Sequence, residues 1–546
     1  MSHRTWSQLV LITLCGLILG QAGLAQPSSS GDLEQAVAAI RGPAIRAHMR
    51  FLADDLLEGR ATATRGYDIA AKYVAANFET LGLEPAGTEG SYFQSVRLAR
   101  LTMAESKCSL AILRKGRRTE LRFGPEFFTS YTGKSGSVTA PVVFAGYGMT
   151  APELGRDDYA GIDVRGKLVA VLGGVPAGLS GDQRALYSDP DLWFRNAAAH
   201  GAAGLLIIAP PALEQRWEYA LADVRSPDMT WMDEAGRPGL VRPLAAVLRW
   251  KAAEGLFAGA PHSLADALQA ADAGRPTSFE LPIQASLRIE GRSEPIASPN
   301  VVAILPGSDP RLKDEYVVLN ASLDSLGMGA PAGGDTIYNG VSDAAGVAAL
   351  LEMARAFTRL PVAPRRSVLF LATAGEAKRP CGSEFFVHFP TRPAGHIVAD
   401  VNLDMSLMLY PLRDVVAFGA DHSTLEAPFE EAARRLGIAV SPNPFQEWVM
   451  LSRIGSYPFL QEGIPALTLT AGFLKDGAAL GGQALWEQWL SERYRRPGDD
   501  MSQALDFGAG EQLAKMNFLV SYLVAQDDKA PGWNPGDFFG GKLGRK

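Results

Sequence analysis

The stretch RRSVLFLATAGE, residues 365–376, indicates what kind of sheet this protein contains. Its apolar run shows no polar alternation, which is typical of a strand covered on both faces. Similar runs occur at 300–305 (NVVAIL), 315–324 (EYVVLNASLD), 396–404 (HIVADVNLD) and 464–470 (IPALTLT). Because helix-like segments separate several of these runs, the pattern predicts a mostly parallel central sheet between two helical layers, a three-layer α/β/α domain.

The rest of the chain changes in texture along its length. A chain of 546 residues is long enough for more than one core. Between about 115 and 290, short strand-like runs are separated by Gly, Pro and Asp. We therefore predict one α/β domain, formed by 26–114 and 291–530, interrupted by a smaller strand-rich domain at 115–290. The Gly- and Pro-rich tail, 531–546, is expected to be loose.

The first 25 residues have the features of a secretory signal peptide. His3 and Arg4 precede the apolar run LVLITLCGLIL, and the small residues Gly23 and Ala25 follow it. The run is too short to favour a transmembrane anchor. We expect cleavage after residue 25 and a secreted or periplasmic protein without a membrane anchor, the alternative being a buried N-terminal helix.

The net charge, the hydrophobic content and the cysteines limit the kinds of protein that this chain can be. The net charge is −7, and no Lys/Arg-rich run suggests a nucleic-acid partner. Hydrophobic residues make up 47% of the chain and charged residues 20%, values typical of a globular protein. After signal removal, Cys108 and Cys381 would remain. Two unpaired, mostly buried thiols are expected, although an oxidising compartment would allow one disulfide, and no CxxC motif suggests cysteine-bound zinc.

Three consecutive predicted strands end on an acidic residue: Asp324, Glu376 and Asp404. A fourth acid, Asp343, begins the helix after the first of these strands. Because functional sites in open α/β sheets lie beyond the carboxyl ends of the strands, we expect all four to converge. Clustered carboxylates repel each other unless they are protonated or paired with a cation. The pattern therefore favours a metal or acid-base site, although Asp343 alone would be interpreted as a helix cap.

The chain resembles the zinc aminopeptidases of metallopeptidase family twenty-eight that carry an inserted protease-associated (PA) domain. The resemblance rests on the following segments, in order: FLADDLLEGRATATRGYDIAAKYVAANFETLGLEPAG (51–87), VVFAGYGMTAPELGRDDYAGIDVRGKLVAVL (142–172), GDTIYNGVSDAAGVAALLE (334–352), RRSVLFLATAGE (365–376), VNLDM (401–405) and YPFLQEGIPAL (457–467). It implies a zinc-exopeptidase-like α/β domain with an inserted PA-like domain that influences substrate access.

The resemblance also implies roles for the four acids. Family members hold two zinc ions with two His, two Asp and one Glu, and use a second Glu as general base. The bridging Asp matches Asp343, and the Asp after the third strand matches Asp404. The general base matches Glu376, and Asp324 matches the acid that orients the first His ligand.

Three ligand positions of the family carry other residues here. Ser322 replaces the first His in Ala321–Asp324, Ala377 replaces the second Glu of the Glu-Glu pair, and Arg495 replaces the late His after Tyr494. His388, His396 and His422 are not evident substitutes, because each falls within or before a predicted helix or strand. Serine is a weak, neutral zinc ligand, and alanine supplies no ligand atom.

These replacements lead to a functional hypothesis. We expect zinc to be absent or weakly bound, with Arg495 turned inward against Asp343 and Asp404, or alternatively exposed on a shifted loop. Without zinc, a base such as Glu376 has no polarised water to activate. We therefore predict a degenerate homologue that binds a peptide, an amino acid or a partner protein. The alternative is an active metalloexopeptidase that removes N-terminal residues with an altered metal site.

Overall fold

The computed structural model describes residues 29–239, 242–275, 278–393, 396–404, 406–443, 454–475, 477–478 and 480–544. The predicted signal peptide lies outside these residues. Within them, no helix combines the length and the apolar character that a membrane span requires.

The larger of two main sheets has ten strands. They are β1 (Glu84–Pro85), β2 (Phe93–Met103), β11 (Asp228–Trp231), β14 (Gly291–Leu305), β15 (Tyr316–Ser322), β18 (Ser367–Thr373), β19 (Ile397–Asn402), β20 (Asp414–Phe418), β21 (Ala439–Val440) and β22 (Ala466–Ala471). Their order is β11-β2-β14-β18-β15-β19-β22-β20-β21, with β1 paired to β14. The four strands β18, β15, β19 and β22 are parallel, whereas the neighbours β14 and β20 join them antiparallel. The predicted α/β class is confirmed, and the parallel arrangement is concentrated at the centre of the sheet.

Helices cover both faces of this sheet. One layer contains α1 (Ser30–Ala39), α2 (Gly42–Leu52), α3 (Arg65–Thr80), α9 (Val341–Phe357), α11 (Glu426–Leu436) and α14 (Phe507–Gln526); the other contains α10 (Cys381–His388), α12 (Tyr457–Gln461), α13 (Gln483–Glu492) and α15 (Phe538–Leu543). Strand β15 separates the two cores. Its Val317 and Leu319 pack with the first layer, and its Tyr316 and Val318 pack with the second.

The smaller sheet has eight strands, and the chain forms it between β2 and β14. They are β3 (Ser109–Arg114), β4 (Arg117–Leu121), β5 (Phe127–Phe128), β6 (Gly136–Phe144), β9 (Leu168–Leu172), β10 (Gly204–Ile208), β12 (Leu244–Leu248) and β13 (Phe279–Ile289). The helices of this region are α4 (Gly181–Tyr187), α5 (Pro190–Ala199), α6 (Trp217–Arg225), α7 (Trp250–Glu254) and α8 (Leu264–Asp272). Two short ladders complete the described strands: β7 (Thr150–Ala151) with β8 (Arg156–Asp157), and β16 (Gly327–Ala332) with β17 (Asp335–Tyr338).

Two segments differ from the sequence-based expectations. Strand β11 falls within the predicted inserted domain, yet it pairs antiparallel with β2 and forms an edge of the larger sheet. The tail expected to be loose contains α15, in which Phe539 is fully buried. The buried Phe539 side chain anchors the tail. In the sequence, the high Gly and Pro content favoured a loose tail more strongly than this one aromatic residue favoured an ordered one. The predicted domain boundaries themselves remain a prediction.

Candidate functional site

Asp324 lies just beyond the carboxyl end of β15 and is fully buried. Its carboxylate accepts hydrogen bonds from the Thr62 hydroxyl at 2.8 Å and from the Glu376 backbone N–H at 2.9 Å. A longer bond, 3.4 Å, comes from the N–H of Ala377. Burial raises the pKa of Asp324 despite these bonds. Asp324 therefore fixes the turn that follows β18 and carries Glu376.

Glu376 points toward the first turn of α10. Its Oε1 atom accepts hydrogen bonds from the backbone N–H of Ser383 at 2.7 Å and from the Ser383 hydroxyl at 2.9 Å. Burial, reinforced by the negative charge of Asp404, raises the pKa of Glu376 well above its ordinary value. The hydrogen bonds from Ser383 favour the ionised carboxylate, but burial outweighs them, and the raised pKa opposes the role of a general base, which must be ionised.

Asp404 follows β19 and is held by backbone and side-chain donors. It accepts hydrogen bonds from the N–H of Gly455 at 3.1 Å, the Asn402 amide at 3.2 Å and the N–H of Ser322 at 3.3 Å. A Cβ atom at position 455 would come within 2.9 Å of the Asp404 carboxylate, so the approach requires glycine. Burial raises the pKa of Asp404. The replaced ligand position Ser322 thus contacts Asp404 through its backbone.

Asp343 lies in the first turn of α9, as the sequence predicts. Burial, together with the neighbouring charge of Asp499, raises its pKa to about 7, even though Ser325 donates a hydrogen bond to it. Asp499 accepts hydrogen bonds from the hydroxyl and backbone N–H of Ser342, at 2.7 and 3.2 Å. Asp499 ends the motif that contains Arg495, and its proximity to Asp343 could not be predicted from the sequence.

A buried cation, Arg60, lies beneath these acids and was also missed. Its side chain is fully buried and donates hydrogen bonds to the carbonyls of Leu323 at 3.1 Å, Asn339 at 2.6 Å and Gly340 at 3.0 Å. Leu52 supplies a further carbonyl acceptor. The positive charge of Arg60 opposes the rise in the pKa of Asp343. The segment LLEGRAT (56–62), which contains Arg60 and contributes to the family resemblance, was the sequence feature that could have identified it.

Arg495 does not make the predicted inward ion pair. In the described part of the chain, its ion-pair partner is Asp223, the two side chains approaching to 4.0 Å. Lys378, next to Ala377, donates hydrogen bonds to the carbonyl of Asp223 at 2.9 Å and to the hydroxyl of Ser226 at 2.5 Å. The carboxylate of Asp223 belongs to α6, and the charges of Asp223 and Asp343 both help to raise the pKa of Arg495. One replaced position, Arg495, and Lys378, the neighbour of another, therefore meet the segment 223–226 from the region of the smaller sheet.

The described histidines all find partners away from these acids. Six of the seven histidines of the chain lie in the described ranges. Their contacts are His48 with Tyr73, His200 with Asn196, His262 with Phe279, His388 with Glu462, His396 with Asp314 and His422 with Asp537. Over the same ranges, no group of three or more His, Cys, Asp or Glu residues is arranged to hold a metal ion. The donor set therefore does not fit the two zinc ions that the family implies.

Comparison with known proteins places this arrangement in a family. Residues 300–520 match the family model of peptidase family M28. The structure resembles the aminopeptidase from Aneurinibacillus sp. strain AM-1 with a TM-score of 0.53, at 17% identity over 91% of this chain and 97% of that one. It also resembles a zinc aminopeptidase from Bacillus subtilis, with a TM-score of 0.46, 16% identity and coverage of 91% and 98%. The comparison with curated proteins gave no match. Residues 300–520 thus form a domain of peptidase family M28.

Proposed function

We propose that this protein is a secreted or periplasmic, degenerate aminopeptidase-like protein that binds a peptide or a partner protein without hydrolysing it. The observation that carries this proposal is the donor set: serine, alanine and arginine occupy three ligand positions, and no described histidine lies beside Asp343 or Asp404. A catalytic zinc ion needs about three protein ligands and one open position. Asp343 and Asp404 cannot supply that number for two ions.

The residues beside the missing ligands support the same proposal. Glu376 is hydrogen-bonded to Ser383, and its raised pKa favours the protonated form that cannot accept a proton from water. Lys378 and Arg495 contact the segment 223–226, and Arg495 is near enough to Asp343 to interact with its charge. We infer a binding site of mixed charge here, with buried acids near basic side chains. Such a site suits a ligand with charged ends, as peptides have.

A second candidate function is an active exopeptidase with an altered metal site. The retention of Glu376, Asp404 and Asp324 at the ends of central strands, and of Asp343 in the first turn of α9, favours it. In this candidate, one weakly held metal ion, or Arg495 without a metal, would stabilise the developing negative charge. Because both candidates share one fold, only an assay can separate them.

The test combines hydrolysis with binding. Purified protein is incubated with aminoacyl-nitroanilides, with and without added zinc, and Glu376→Gln serves as the matched variant. We expect no turnover above that of the variant, while short peptides raise the unfolding temperature of both proteins by mass action. Turnover that disappears in Glu376→Gln would instead establish the exopeptidase. A lack of stabilisation by short peptides would contradict ligand binding at this site.

A further inference from the structure

A cavity lies where the smaller-sheet region meets the second helical layer. It has a volume of about 110 Å³ and is bounded by β11, the start of α5, α10 and α12. Its wall carries three arginines, Arg195, Arg242 and Arg379, and several carboxylates. Ligand pockets for drug-sized molecules are several times larger, so this cavity selects a small ligand.

Arg242 and Arg379 have hydrogen-bond donors that their protein partners do not use. Arg379 uses Nε for both of its hydrogen bonds to Asp228, at 3.1 and 3.3 Å. Arg242 bonds Asp191 through Nη2, and its side chain is 8% exposed. The Nε atom of Arg242 is buried and has no hydrogen-bond partner in the described ranges. Buried donors are normally hydrogen-bonded, and a small ligand with an acceptor atom in the cavity would pair this one.

Glu384 provides the opposite charge. It lies on α10 and accepts a hydrogen bond from the indole N–H of Trp231, at 2.9 Å across the cavity wall. Asp228 and Asp191 are already matched by one arginine each, whereas Glu384 has an aromatic donor as its partner. Burial, together with the negative charge of Asp191, raises the pKa of Glu384 to about 7. A cationic group in the cavity would stabilise the ionised carboxylate.

We propose that this cavity binds a small zwitterion, a free α-amino acid with a short side chain. Its carboxylate accepts hydrogen bonds from the free donors of Arg242 and Arg379, because guanidinium groups recognise carboxylates through paired hydrogen bonds. Its ammonium group pairs with Glu384. The site is separate from the strand-end acids, and the inference does not depend on the proposed function.

The test is calorimetric titration of the full-length protein with glycine and L-alanine at millimolar concentrations. Acetate and ethylamine, which each carry one of the two charges, are titrated in parallel. We expect both amino acids to bind more tightly than either single-charge probe. Glu384→Gln keeps the shape of the side chain and removes its charge, so it should weaken binding by about tenfold or more. Arg379→Lys, which keeps the charge but loses the paired geometry, should also weaken it.

Two controls keep the outcome unambiguous. Asp404→Asn changes the strand-end acids and should leave the affinity for glycine unchanged. If this variant lost glycine binding, the binding would belong to the strand-end acids and the proposal would be overturned. Thermal unfolding without ligand checks that each variant is folded. No binding of either amino acid to the native protein, equal binding of acetate or ethylamine, or unchanged affinity in both cavity variants would also overturn it.

Discussion

At the scale of single residues, the acids at the strand ends accept hydrogen bonds from donors within the protein. Asp324 is bonded to the turn after β18, Glu376 to Ser383, and Asp404 to Gly455 and Ser322. Each of these acids has a raised pKa because it is buried. The positions of the acids could be predicted from sequence, since they follow consecutive strands. Their hydrogen-bond partners could not be predicted, because most are backbone N–H groups, which nearly every residue type carries.

Arg60 is the residue on which this arrangement most depends. Replacing it with lysine keeps one positive charge but leaves several of its four carbonyl acceptors unpaired in the interior. We expect Arg60→Lys to lower the free energy of unfolding by about 3 kcal/mol. Chemical denaturation measures this change. Arg359→Lys, at an exposed position just after α9, is the matched control and should change stability little; an equal effect in both variants would contradict the role of Arg60.

At the scale of elements, the central strands could be predicted because each is a continuous apolar run. Strand β11 could not, because its burial is only partial and its partner β2 lies more than a hundred residues away. The segment 223–226 was missed for the same reason: its contacts with Lys378 and Arg495 join distant parts of the chain. Long-range charge pairs leave no periodic signal in the sequence.

The pairing of α2 with α9 depends on Glu352 and gives a prediction for acid conditions. Burial opposes ionisation of Glu352, but hydrogen bonds from His48, Arg355 and the Arg41 backbone outweigh it and lower its pKa to about 2. Because the folded-state pKa is lowered from 4.5, the stabilisation is complete above pH 4.5 and is lost as the pH falls toward 2.

We therefore expect Glu352→Gln to cost roughly 2–3 kcal/mol at neutral pH, and the difference from the native protein to shrink through that acid range. Urea denaturation at several pH values measures it. Glu426→Gln, at an exposed position in α11, is the control. A difference that stays constant from neutral to acid pH would rule out this role of Glu352.

At the scale of the whole molecule, the C-terminal tail joins the two parts of the structure. Phe539 is fully buried, and Lys542 pairs with Glu153, in the region of the smaller sheet. His422 bonds Asp537 at 2.7 Å, which fixes the start of α15. The sequence favoured a loose tail because Gly and Pro dominate its composition. The anchoring depends on the Phe539 side chain, which packs against hydrophobic residues that are distant in the sequence.

Phe539→Ala tests this anchoring. Loss of a fully buried phenylalanine should lower the free energy of unfolding by about 3 kcal/mol and expose the tail to proteolysis. Phe538→Ala removes the same side chain from a partly exposed neighbouring position and should cost less. Thermal unfolding with limited proteolysis compares the two variants. Equal and small effects would mean that the tail does not hold the molecule together.

The most direct measurement of the central claim is the zinc content of the purified protein, by elemental analysis after equilibration with zinc and removal of the excess. It is compared with Ser322→His/Ala377→Glu/Arg495→His, which restores the family's ligands, and with glutamine at the same three positions as a control. We predict far less than one zinc ion per chain in the native and glutamine proteins, and a clear gain in the restored variant. About two zinc ions per native chain would contradict it.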